Sequence, residues 1–205
     1  FSGASSFNQD IGNWNTSNVT RMHDTFSYAI SFNQDIGDWN TSSVKIMRQT
    51  FSGASAFNQD IGDWDVSNVT DMKNMFYSED GSTFNQDIGS WNVSNVINMQ
   101  GMFDGANEFN QDIKSWDVSN VLTFDYMFYD AKKFNQNINI WKVYEFALLE
   151  GMFEGSGITD TTYGFTVPTP LYTQFNQDKE VIVSKFKPTT KAQLQTAVNQ
   201  WTTDK

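Results

Sequence analysis

The stretch Phe57-Asn58-Gln59-Asp60-Ile61-Gly62-Asp63-Trp64-Asp65-Val66-Ser67-Asn68-Val69-Thr70-Asp71-Met72-Lys73-Asn74-Met75-Phe76 decides the reading of this chain, because it recurs. Its opening pentapeptide, Phe-Asn-Gln-Asp-Ile, starts at Phe7, Phe32, Phe57, Phe84 and Phe109, and returns as Phe134-Asn-Gln-Asn-Ile. Successive starts lie 25, 25, 27, 25 and 25 residues apart, and a Trp follows each Phe by seven positions (Trp14, Trp39, Trp64, Trp91, Trp116, Trp141). A fixed period in this range marks a solenoid, in which no single repeat can bury its apolar face alone. Function in such arrays sits on the long outer surface, so binding and assembly are expected ahead of catalysis.

Within one copy, Val69, Met72, Met75 and Phe76 have helical spacing, and Ser67 or Asn68 is placed to cap an N-terminus. Residues 61–66 alternate well enough for one short strand. The expected fold is therefore a leucine-rich-repeat-like α/β solenoid of about six strand–turn–short-helix coils over residues 1–157. Stacked in parallel at about 4.8 Å, the Phe, Ile and Trp columns become apolar ladders. The Asn column (Asn8, Asn33, Asn58, Asn85, Asn110, Asn135) is expected to hydrogen-bond backbone in the next coil. Gly12, Gly37, Gly62 and Gly89 suggest a turn with positive φ, softened where Lys114 and Asn139 replace them. Two extra residues around Ser78–Ser82 read as an outward loop.

Residues 158–185 read as a β-rich capping connector broken by Pro168 and Pro170, with Phe175-Asn-Gln-Asp as a stray echo of the repeat. Residues 186–205 read as an amphipathic helix. Thr190 and Gln193 make its capping box, and Leu194, Val198 and Trp201 share one face. The chain opens on Phe1-Ser-Gly-Ala-Ser, matching Phe51-Ser-Gly-Ala-Ser, so it reads as one module of a longer protein.

The net charge of −11 makes nucleic acid and anionic lipid poor partners. Cysteine is absent, which removes disulfides, thiolate metal sites and cysteine nucleophiles together. No apolar run is long enough to insert in a membrane. Eighteen Phe and seven Trp supply ample core material.

The unit F-N-Q-D-I-G-x-W-x-x-S-N-V-x-x-M-x-x-M-F closely resembles the BspA-like, DUF285 or Mycoplasma-lipoprotein type of leucine-rich-repeat-like surface protein. The resemblance spans residues 1 to about 157. Residues 186–201 also look like a segment that precedes such repeats, as if opening a following array. The resemblance implies an extracellular or cell- or virion-surface solenoid, some members being adhesins for host proteins. It supplies no catalytic residues and no cofactor.

Three sets of residues are candidate sites. Asp10, Asp35, Asp60, Asp87 and Asp112 form a carboxylate column, with two readings: a calcium ladder, or Asx turns in which each Asp bonds local backbone. The second needs no ion and is preferred. Arg21, His23, Lys45, Arg48, Lys73, Gln100 and Asp125 lie on the expected helix polar face, basic early and acidic late. That face is either a drifting solvated surface or a graded binding surface for an extracellular protein or glycan. Lastly, the Phe7, Ile11 and Trp14 layer and the Leu194, Val198 and Trp201 face suggest head-to-tail contact between copies. Sequons at Asn15, Asn18, Asn40, Asn68 and Asn92 matter only in a secreting eukaryotic host. His23 is the only histidine, with no companion for acid–base work. The whole reads as a non-enzymatic structural or adhesive module.

Overall fold

The computed structural model describes residues 1–159, 169–170 and 174–175. The expected helix over 186–205, with Leu194, Val198 and Trp201, lies outside the described residues, as does most of the connector.

Residues one period apart lie beside one another. Parallel bridges join Arg21 to Ile46, Ile46 to Asp71, Asp71 to Asn98, Asn98 to Thr123 and Thr123 to Leu148. Each repeat then donates further backbone N–H groups to the next. From the third copy, Met72 donates to Asn98, Asn74 to Gln100, Phe76 to Met102 and Ser78 to Asp104, all at 2.9 Å. A helix would keep these donors to itself. Only the intervening N–H groups turn inward, with Met75 bonding the Met72 carbonyl and Tyr77 that of Asn74.

The expected strand–turn–helix unit is thus replaced, among the described residues, by a run of tight turns and single bridges. Left-handed residues break what would have been the helix: Asp24, Gln49, Asn74, Gly101, Tyr126 and Gly151 share one column and have φ between 53° and 58°. The apolar spacing of Val69, Met72, Met75 and Phe76 suits this path as well as a helix, since all four still point inward and are buried. The pairing segment likewise lies around Asp71 and not over 61–66, which is made of turns.

The core is a set of ring ladders. Phe32, Phe57, Phe84, Phe109 and Phe134 follow one another at 5.9 to 6.2 Å between centroids. Phe26, Phe51, Phe76, Phe103 and Phe128 do so at 5.6 to 5.7 Å. The two ladders interleave: Phe51 lies 4.0 Å from Phe57, and Phe76 lies 4.0 Å from Phe84. Each fully buried ring adds roughly 1.5–3 kcal/mol of transfer free energy. Trp64 donates its indole N–H to Ile36 O at 3.0 Å, and Trp91 to Ile61 O at 3.1 Å, so among the described residues burial strands no indole donor.

Asparagine satisfies the remaining turn, as its amide chemistry predicts. Each Asn Oδ1 accepts the backbone N–H of the next Asn, as in Asn58 to Asn33 and Asn85 to Asn58, both 2.9 Å. Gln59 and Gln86 add their side-chain amides to the same oxygens. The glycine column corrects an expectation. Gly12, Gly37, Gly62 and Gly89 are not left-handed. A Cβ on Gly62 would stand 2.7 Å from Asp87 O in the next repeat, so close approach between repeats selects glycine there.

At the far end, Gly151 N–H bonds Thr169 Oγ1 at 3.0 Å, a hydroxyl standing where earlier repeats meet a carbonyl. Phe175, the echo of the repeat motif, is fully buried 6.4 Å from Phe153. Part of the 158–185 segment therefore lies over the last repeat.

Candidate functional site

The inter-repeat bonds fix a strip of outward side chains. His23, Arg48, Lys73, Gln100, Asp125 and Glu150 fall in one column of it, since the backbone around each is bonded to its counterpart. Arg21 is in the neighbouring bridge column, and Lys45 in the next, exposed. The candidate binding residues thus come together as three adjacent columns of turn backbone. His23 Nε2 sits 2.9 Å from Asp24 Oδ2. Asp125 accepts the Glu150 N–H at 2.8 Å, and desolvation nevertheless raises its carboxyl above the usual range.

The carboxylate column takes the Asx-turn geometry. Asp10, Asp35, Asp60, Asp87 and Asp112 each accept the backbone N–H two residues on, at 2.9 to 3.0 Å. All five are exposed. Lys114 also bonds Asp112 at 2.7 Å and holds its carboxyl below the usual range. Asp65 belongs to a second such column, lowered by bonds from Ser67. Among the described residues, no three His, Asp or Glu side chains are grouped to hold a metal ion. Of the layer proposed for assembly, Ile11 is buried, Phe7 stacks on Phe1 at 4.1 Å, and Trp14 is 53% exposed.

The two-residue insertion builds something the sequence reading did not foresee. Ser78 Oγ bonds Gly81 O at 2.7 Å, closing a small loop, and Tyr77 donates its hydroxyl to Glu79 at 3.0 Å. Beneath the loop opens a cavity of about 270 Å³ lined by Tyr77, Glu79, Asp104, Asn107, Tyr129, Asp130 and Lys132, among others. Burial, with the Asp130 charge adding to it, pushes the Asp104 carboxyl up to about 7. Burial, then the bond and charge of Glu79, push the Tyr77 phenol up to about 12. Asp104 belongs to a column running Ser27, Ser52, Tyr77, Asp104, Tyr129, Glu154. That variability hid the acid; the break from 25 to 27 residues was the one available signal. Carboxylates and phenols around a half-open cavity can accept hydrogen bonds and attract cations.

The chain matches the family described as a Mycoplasma protein of unknown function, DUF285, over residues 1–82 and 61–163. It belongs to that family, the BspA-like type its repeat resembles. No curated protein and no solved structure matches it. No helix among the described residues is long and apolar enough to cross a membrane.

Proposed function

We propose that the chain is a repeat solenoid acting as a non-enzymatic recognition and adhesion module, part of a larger extracellular or surface protein. The partner would be an extracellular protein or glycan, met by the outward strip from Arg21 to Asp125. One observation carries this reading: the charge of that outward strip changes along the array while the interior columns repeat. Trp, Asn and Ile positions bond their counterparts in the same way from copy to copy. The residues at His23, Arg48, Lys73, Gln100 and Asp125 sit on an equally regular backbone yet pass from basic through neutral to acidic. A rigid frame with a varied face is how repeat arrays form extended binding surfaces.

Head-to-tail assembly is the second reading, favoured by the exposed Trp14. It is weakened at the other end, where Thr169 and Phe175 of the same chain lie over the last repeat.

The test is binding of the immobilised chain to a panel of extracellular-matrix proteins and glycans. A strip variant (Arg48→Ala, Lys73→Ala, Asp125→Ala) should lose the ligand. A variant on the turn after the Ile column (Asp38→Ala, Asp63→Ala) should keep it. Loss in both variants, or no ligand for the parent chain, would overturn the reading. Light scattering on the parent decides the second: concentration-dependent polymers favour assembly, a stable monomer excludes it.

A further inference from the structure

We infer that the cleft under the Ser78–Gly81 loop is an anchor pocket for one basic side chain, an arginine or lysine of a partner protein. The inference rests on the outer strip being a recognition surface, and it names the chemistry of the partner.

The cleft presents acids in an unfavourable arrangement. The Asp104 carboxylate is partly buried and faces Asp130, whose charge opposes its ionisation. Among the described residues, no N–H or O–H donates to it. Glu79 adds a third carboxylate, held by the Tyr77 hydroxyl. Lys132 is the cation lining the cleft, and it is exposed and outside the ion pairs formed by His23, Lys114 and Lys133. Burial and like charge both disfavour an ionised Asp104, and a bound cation would relieve both at once.

The choice of ligand follows from what each class could supply. A neutral sugar hydroxyl offers hydrogen bonds but leaves the repulsion between Asp104 and Asp130 in place. A divalent metal needs several carboxylate oxygens converging on one point, and these acids are not so grouped. A guanidinium or ammonium brings donors and charge together, with guanidinium better matched to paired acceptors. Tyr77 and Tyr129 add ring surface of the kind that attracts organic cations. The cavity of about 270 Å³ is open on one side, so a side chain can enter while its backbone stays outside.

Neighbouring repeats lack this arrangement. Where Asp104 stands, the first two copies carry Ser27 and Ser52, both buried. The junction from Phe51 to Phe57 lacks the two added residues and closes with two tight turns, Ala54 N–H bonding Phe51 O and Phe57 N–H bonding Ala54 O, both at 3.0 Å. One specific anchor outside the three columns of the varied strip would fix the register of a partner that spans both.

The experiment titrates the full chain with acetyl-arginine-amide and acetyl-lysine-amide, following the Asp104 carboxyl carbon by NMR. Saturable binding is expected at about pH 8, weakening about tenfold or more toward about pH 5.5 as Asp104 takes up its proton. By the same linkage, the Asp104 midpoint should fall when the probe is bound. Asp104→Asn should weaken binding about tenfold, and Lys132→Ala should strengthen it by removing a competing cation. Asp130→Asn serves as a second test should Asp104→Asn fail to fold. Equal binding to parent and both Asn variants, or binding of neutral disaccharides with no pH dependence, would overturn the proposal. A strip that holds its protein partner equally well after Asp104→Asn would sink the anchor alone and leave the broader function standing.

Discussion

Two junctions of the array differ in length and agree inside. From Phe51 to Phe57 the chain takes six residues, and from Phe76 to Phe84 it takes eight. Yet each pair of rings lies 4.0 Å apart. The asparagine bond across each is 2.9 Å, and the indole bonds are 3.0 and 3.1 Å. What repeats is therefore a geometry and not a residue count. Extra residues placed where the chain faces solvent leave the ladders untouched, and there they form the cleft under the Ser78–Gly81 loop. Loop closure explains the tolerance, since lengthening a surface loop by two residues costs only a few tenths of a kcal/mol.

The strongest way to break this comparison is to cut the same residue at both junctions. Trp91 bonds across the longer junction and Trp116 across a shorter one, and both are buried. Replacing either by Ala should cost about 3–5 kcal/mol, through lost packing and a stranded carbonyl. Trp14, 53% exposed, should cost well under about 1 kcal/mol. Urea unfolding measures all three. A gap above about 1 kcal/mol between Trp91→Ala and Trp116→Ala would show that the interior does sense the insertion.

The polar ladder gives a smaller, sharper test. Asn58→Ala removes the acceptor for Asn85 N–H and for the Gln86 amide across the longer junction. Asn33→Ala does the same to Asn58 and Gln59 across a shorter one. Each should cost about 1–3 kcal/mol, because a partly buried backbone N–H is left unpaired while the Gln amide keeps only its bond to the backbone carbonyl. Near-neutral effects would mean that water replaces the amide and that the ladder is incidental to stability.

These residues also show how far the sequence could be read. The Phe, Ile, Trp and Asn columns were legible because packing and amide bonding demand the same residue type in every copy. The path between Val69 and Phe76 was not. Its left-handed position is Gly in two copies only (Gly101 and Gly151), and Asp24, Gln49, Asn74 and Tyr126 disguise it in the rest. The bridge column runs Arg21, Ile46, Asp71, Asn98, Thr123, Leu148, since backbone pairing places no demand on the outward side chain. Gly62 looks locally like a turn residue, while the pressure on it comes from Asp87 O in another repeat, which no local pattern encodes. The cleft was hidden for the same reason: Asp104 and Asp130 are 26 residues apart and meet only through stacking.

Asp104 gives the two junctions different responses to pH. Its carboxyl titrates near 7 in the folded chain, above its ordinary value of 3.8. The folded state thus holds this proton more tightly than the unfolded one. The stabilising contribution is complete below about pH 4 and fades as pH rises toward about 7. Solvent reaches part of the carboxylate, so the loss at neutral pH should be only about 1 kcal/mol after screening. Asp104→Asn should raise the melting temperature at about pH 8 and leave it unchanged at about pH 4. A flat difference across that range would remove Asp104 as the source.

The smallest expected effect concerns the feature that the two junctions share. Asp60 and Asp87, on either side of the insertion, each give an oxygen to the backbone N–H two residues ahead, at 2.9 Å. Both carboxylates are exposed, so their charge is carried by water and by that local bond. A calcium ladder would need successive carboxylates to share an ion, with six to eight oxygens around each. The turn geometry uses the same oxygens for a different purpose, one that each repeat completes on its own. Removing divalent ions with a chelator should therefore leave the melting temperature unchanged, and adding calcium should not raise it. A fall of several degrees in chelator, reversed by calcium, would mean that Asp10, Asp35, Asp60, Asp87 and Asp112 act together as ligands. The repeats would then be joined by ions as well as by their ring and amide ladders.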